Sequence, residues 1–107
     1  MRGVHVFAVA DGRLLDQVRT SSDRTPLCIR FIDDGKQLVI ATSGGAGSAE
    51  AREVLTYNFA ESKVVRRRLI RGDHHNVLNF TTDGTQILIN GKDGSVSLWD
   101  VDTGRKK

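Results

Sequence analysis

"DGSVSLWDVDTG" (93–104) contains the only tryptophan of the chain, and an aspartate follows it at once. The segment is bracketed by two turn signals, Asp93-Gly94 and Thr103-Gly104. An Asp-Gly pair suits a tight hairpin, whose central residues need backbone dihedrals that glycine adopts freely. Between the turns, "SVSLWDV" (95–101) reads as a strand rich in β-branched and aromatic residues. A short strand held between two tight turns is a unit of all-β architecture, and the rest of the chain repeats it.

Three segments superimpose without a gap: "VHVFAVADGR" (4–13), "VLTYNFAESK" (54–63) and "VSLWDVDTGR" (96–105). Each has an apolar start, an aromatic in fourth place (Phe7, Tyr57, Trp99), an apolar residue in sixth, a turn, and a basic residue. A second motif recurs independently. "IRFIDDGKQLVIAT" (29–42) matches "LNFTTDGTQILING" (78–91), pairing Phe31 with Phe80 and Asp34-Gly35 with Asp83-Gly84. Two motifs in the same order at nearly the same period mark a repeat architecture.

Apolar runs broken by turn signals predict nine strands: 4–9, 13–18, 27–31, 37–42, 53–59, 63–70, 77–80, 86–90 and 95–101. Leu38-Val39-Ile40 and Ile87-Leu88-Ile89 are continuous apolar runs without alternation, as in a sheet covered on both faces.

The segment "NVLNFTTDGTQILINGKDGSVSLWDVDTGR" (76–105) resembles a repeat of the WD-repeat β-propeller family. The matching elements are the apolar-x-Phe strand, the Asp-Gly turn, a second apolar strand, Asp93-Gly94, and the Trp99-Asp100 ending. The resemblance implies antiparallel four-stranded blades around an axis. It parses the nine strands as c–d, then a–b–c–d, then a–b–c. One blade ends within 4–20, a complete blade covers 27–71, and three strands of the next cover 77–101. Phe7, Tyr57 and Trp99 then take the same place in successive blades, where a large ring fills space against the neighbouring blade. Arg105-Lys106-Lys107 is all that remains for the last outer strand.

The family often ties a blade together with a buried set of His, Ser or Thr, Asp and Trp. Here Asp93 and Trp99 fit, but the hydroxyl position falls on Ile89, and Asp73 separates Gly72 from His74. Either His74 or His75 is placed to reach Asp93. The middle repeat carries Tyr57-Asn58 in place of Trp-Asp. The fold is therefore expected to rest on apolar packing between blades more than on polar networks.

At 107 residues, 38% hydrophobic and 27% charged, the chain has the composition of one small soluble domain. Its apolar runs are too short to span a bilayer. The opening "MRGVHVFAVADG" has an Arg and an apolar patch, but His5 and Asp11-Gly12 break it before it could serve as a signal peptide. An intracellular site, cytoplasmic or nuclear, is the default. Cys28, the only cysteine, lies among apolar neighbours and reads as a buried thiol. Propellers typically have about 4–8 blades, so roughly two blades point to a fragment of a longer protein. Self-association through exposed strand edges is the rival, although joining an a–b–c end to a c–d start would duplicate strand c.

Several segments invite sharper readings. "SGGAGS" (43–48) is glycine-rich but lacks the Lys-Ser/Thr and the strand–loop–helix context of a phosphate loop. Arg66, Arg67, Arg68 and Arg71 share one predicted outer strand, where alternation splits them between faces and charge protects an edge from aggregation. A net charge of +3 permits anion contact without requiring it. His74-His75 lack nearby partners for a metal site, and no cofactor is implied. No Ser-His-Asp or paired-carboxylate arrangement is legible, and such short loops offer no obvious pocket. "NFT" (79–81) is formally a glycosylation sequon, but sits in a predicted strand.

The expectation is a non-catalytic protein–protein interaction scaffold, by family resemblance, contacting other proteins or further blades. Its surface would combine the d–a loops (21–26, 72–76) with the b–c loops (43–52, 92–94), which emerge on one rim. Arg24, Arg52, Asp73, His74 and His75 are the exposed polar candidates. The alternative is anion binding, to nucleic acid or phosphoinositide, through the Arg66–Arg71 strand. The missing aromatic platform counts against nucleic acid.

Overall fold

The computed structural model describes residues 3–20, 25–42, 51–71, 74–91 and 93–107. Their regular structure is entirely β: β1 (Gly3–Phe7), β2 (Leu14–Arg19), β3 (Pro26–Ile32), β4 (Gln37–Thr42), β5 (Ala51–Asn58), β6 (Lys63–Arg71), β7 (His74–Phe80), β8 (Gln86–Gly91) and β9 (Val96–Asp100). They form three antiparallel sheets, ordered β1-β2, β3-β4-β5-β6 and β7-β8-β9. That is the c–d, a–b–c–d, a–b–c arrangement expected from the repeats.

Strand β4 shows why the sheets stack. Successive side chains of a strand point to opposite faces. Leu38 and Ile40 therefore join one buried cluster with Val18, Leu55 and Tyr57, supported by Val4 and Val6 of the two-stranded sheet. Val39 and Ala41 join another with Val54, Ile70, Phe80, Ile87, Ile89 and Val101, which fastens the four-stranded sheet to the three-stranded one. Every residue of β4 from Leu38 to Thr42 is buried. Each fully buried Leu or Ile contributes about 1.5–3 kcal/mol, so these two interfaces carry most of the fold's favourable energy. The second continuous run behaves differently. Ile87 and Ile89 are buried against the middle sheet, while Leu88 on the opposite face is only half-buried.

The turns follow the sequence signals. Gly94 has φ +86° and Gly84 has φ +73°. Gly84 is also pressed against the middle sheet: a Cβ there would lie 2.7 Å from Ile32 Cγ2. Its neighbour Asp83 closes the β7–β8 turn, its Oδ1 accepting from Thr81 Oγ1 (2.8 Å), Thr85 N (3.0 Å) and Thr85 Oγ1 (2.8 Å). These bonds hold the Asp83 carboxyl below its usual range. In the β3–β4 turn, Asp33 and Asp34 both take positive φ, 54° each, which aspartate tolerates better than most residues.

The third sheet has three strands, as expected, and Arg105–Lys107 runs beside β9. Lys106 forms an isolated bridge with Trp99, Asp100 N donates to Arg105 O (2.8 Å) and Lys107 N donates to Leu98 O (2.8 Å). Strands β5 and β7 begin earlier than predicted. Arg52 lies within β5 opposite Ile70, and His74 and His75 lie within β7, where His74 pairs with Gly91. The backbones of these residues thus belong to strand ends, and the β7–β8 ladder reaches His74 with irregularities between His74 and Asn76 and between Val77 and Asn79.

Candidate functional site

The four connections β2–β3, β4–β5, β6–β7 and β8–β9 leave the sheets at one end. The register fixes this within each sheet: Pro26 opposes Thr42, Ala51 opposes Arg71 and His74 opposes Gly91. Strand β3 lies beside β7, bringing the middle and third sheets together. Of the polar residues expected on this rim, Arg24 and Asp73 lie outside the described residues, as does the glycine-rich segment 43–48. Arg52 is half-buried. The backbone of His74 and His75 opens β7, and their side chains lie outside the described set.

The expected pairing of His74 or His75 with Asp93 lies outside the described residues, and the hydrogen bonds described for Asp93 and Trp99 are local. Asp93 is exposed and closes its own turn, Oδ1 accepting from Ser95 N (2.9 Å) and Ser95 Oγ (2.6 Å). The two Ser95 bonds, with the positive charge of Lys106, hold its carboxyl below the usual value against a small opposing effect of burial. Trp99 is half-buried against the cluster of the middle and third sheets. Its Nε1 donates to Ser97 Oγ (2.8 Å), whose hydroxyl donates to Ile89 O (3.4 Å). Ser97, two residues earlier on the same strand, thus supplies the hydroxyl that Ile89 lacks. Asp100 closes the following turn, its Oδ1 accepting from Thr103 N at 3.0 Å.

The three equivalent aromatics differ according to what covers them. Tyr57 is 5% exposed and faces the first sheet, where its hydroxyl donates to Asp16 Oδ1 at 3.0 Å. Burial raises its pKa first, reinforced by the hydrogen bond to Asp16 and that carboxylate's charge and opposed by Ser62. Phe7 is 54% exposed, in edge contact with His5.

The arginine strand β6 is the outer edge of the four-stranded sheet. Arg66 forms an ion pair with Asp102, and Arg68 Nε donates to Asp102 O at 2.7 Å. Arg67 lies on the other face, 3.5 Å from Glu53 Oε1. Two of the arginines thus pin the middle sheet to the β9 turn of the next, leaving fewer cations for an outside anion. Cys28, expected as a buried thiol, is half-buried against the cluster of the middle and third sheets, its thiol 3.8 Å from Asn79 Oδ1. Asn79 Oδ1 also accepts from Phe80 N (2.8 Å).

The expectation of no pocket is overturned at the opposite rim. A groove of about 530 Å³ opens between the first and middle sheets, lined by Val6, Phe7, Val9, Asp16, Phe31 and Phe59 among others. A smaller cavity of about 210 Å³ lies between the middle and third sheets, beside Arg66, Asp83 and Asp102. Nothing in the spacing of these residues announced either one, because their walls come from separate sheets. Among the described residues there is no cluster of three His, Cys, Asp or Glu suited to a metal ion. No helix among them is long and apolar enough to cross a membrane.

Three stacked antiparallel sheets with this strand order have the fold of a partial β-propeller. Solved structures similar to it include the following two. One is a chain of the mitotic checkpoint complex, with a TM-score of 0.55 and 16% identity over 99% of this chain and 43% of that one. The other is the C-terminal WD40 domain of Sif2, with a TM-score of 0.52 and 15% identity over 97% of this chain and 29% of that one. The chain thus spans less than half the length of either, and at such identity the likeness is one of fold. No protein-family model matches, and no curated protein matches significantly.

Proposed function

We propose that the chain is a non-catalytic, protein-binding part of a WD-type propeller, presenting the rim of its d–a and b–c connections to partner proteins. The observation that carries this reading is the register, which puts the strand ends flanking these four connections at one end of each sheet. Loops positioned by a rigid scaffold are where binding residues concentrate. Arg24, Arg52, Asp73, His74 and His75 supply the polar contacts, and the unit works within a longer protein inside the cell. The blade limits 4–20, 27–71 and 77–101 belong to the same reading. Anion binding through β6 is the weaker alternative, since Arg66, Arg67 and Arg68 already have acidic or carbonyl partners.

A photo-crosslinking residue placed at Arg52, compared with one at Lys63 at the other end of the sheet, tests the proposal in cells. Protein adducts from position 52 and few from position 63 are expected. Equal labelling from both positions would refute the rim assignment. Binding of an RNA homopolymer or of phosphoinositide vesicles that vanishes in the Arg66→Ser/Arg67→Ser/Arg68→Ser variant would favour the alternative.

A further inference from the structure

The cavity of about 210 Å³ between the middle and third sheets is lined by a side chain that the fold leaves unsatisfied. On β5, Val54 packs toward the third sheet and Leu55 toward the first. Alternation turns Thr56 back toward the third sheet, into the cavity that it lines. Thr56 is 7% exposed, and among the described residues its hydroxyl has no hydrogen-bond partner. Thr42, the other buried threonine of the four-stranded sheet, donates its hydroxyl to Glu53 O at 3.0 Å. Buried hydroxyls are ordinarily paired, and one that faces a cavity is available to whatever enters it.

The walls around Thr56 carry two carboxylates, Asp83 and Asp102, against one guanidinium, Arg66, a net charge of −1. The hydrogen bonds described for Asp83 all end on Oδ1, and Arg66 meets Asp102 on Oδ1 as well. Both Oδ2 atoms are left for an incoming donor. The bonds from Thr85 and Thr81 hold the Asp83 carboxyl below its usual range, so it is charged at neutral pH. Gln37 adds an amide oxygen, and Val39, Val65 and Val101 give the cavity an apolar side. None of the lining residues lies on β1, on β2 or after Asp102. The cavity is thus enclosed by facing sheets and owes nothing to the unpaired edge of β1.

Such a lining suits a positive charge with several N–H donors and a short apolar stem. A guanidinium has five donors in a planar fork and can reach acceptors on both walls, whereas an ammonium has three on one atom. Arg66 on Asp102 already shows this pairing within the chain.

We infer that the cavity is a binding site for a guanidinium group, the head of an arginine, held by Asp83, Asp102 and the Thr56 hydroxyl. It lies at the end of the sheets opposite the loop rim, so either surface can fail without the other.

Nitrogen-15 chemical-shift titration of the full chain with Nα-acetyl-arginine methylamide tests the site. Saturable shifts of the Thr56, Gly84 and Thr85 amides are expected. The citrulline analogue has the same shape without the charge and should bind about tenfold more weakly. Thr56→Val keeps the shape and removes a hydroxyl that has no partner in the fold. Affinity should drop about fivefold with no fall in Tm. Asp102→Asn should weaken binding about tenfold, while the main-chain carbonyl still accepts from Arg68. Unchanged Trp99 fluorescence would verify the fold of each variant. Free arginine is titrated in parallel. Tighter binding of the free amino acid would support the site with a small molecule as its ligand, and tighter binding of the capped form would support it with an arginine of a polypeptide. Equal affinity for citrulline, full affinity in both variants, or shifts confined to other residues would overturn the inference.

Discussion

Replacing Tyr57 with phenylalanine removes one oxygen from a nearly closed interface and leaves the ring in place. The lost group donates at 3.0 Å to the Asp16 carboxylate, across the gap between the first and middle sheets. A hydrogen bond to a charged partner is worth about 1.5–3 kcal/mol. Asp16 is half-buried and keeps its bond from Gln17 N at 2.8 Å, so the lower end applies, about 1.5 kcal/mol. For a chain of this size that is a fall of about 6 °C in Tm. Urea unfolding followed by far-ultraviolet circular dichroism, which sees all three sheets, should register the loss. Trp99 fluorescence reports the other interface, so coincident curves would show that the sheets unfold together. In an Asp16→Ala background the same substitution should cost about 1 kcal/mol less, because the partner is already gone. Alkali provides a second signature. Burial and Asp16 raise the folded pKa of Tyr57, so the stability it contributes is intact below the unfolded value of about 10 and drains away as the pH climbs through the folded value. Tyr57→Phe should lack that decline. A loss below about 0.5 kcal/mol, or an equal loss with and without Asp16, would refute the bridge between sheets.

Gly84→Ala should cost about 2–3 kcal/mol in chemical denaturation, since alanine is strained at φ +73° and its methyl would meet Ile32 at 2.7 Å. Asp102→Ala removes the carboxylate held by Arg66 but leaves the carbonyl that Arg68 uses. Both charged groups are largely exposed, so the loss should stay near or below about 1 kcal/mol and shrink in high salt. Asp83 and Asp93 both have lowered folded pKa values, so their contribution is present above the unfolded value of about 3.9 and is lost as acid carries the pH down through the folded values. The Asp83→Asn/Asp93→Asn variant should show a flatter acid limb in a thermal-melt series.

The parts of this protein legible in its sequence are local along the chain. Strand β4 was marked by an unbroken apolar run, the hairpins by Asp-Gly pairs, and the blade order by two repeated motifs, because period-two burial and turn geometry involve residues close in sequence. Even the departure from the family's hydroxyl position could be seen at Ile89. The identity of residues that meet between sheets was decided only by the tertiary structure. Asp102 reaching Arg66 and Tyr57 reaching Asp16 depend on how far one sheet is rotated and offset over the next, which no spacing within a strand encodes. The same holds for Phe7 and Tyr57. They share a motif position, yet one is exposed and the other closed, because burial depends on whether another sheet lies against that face.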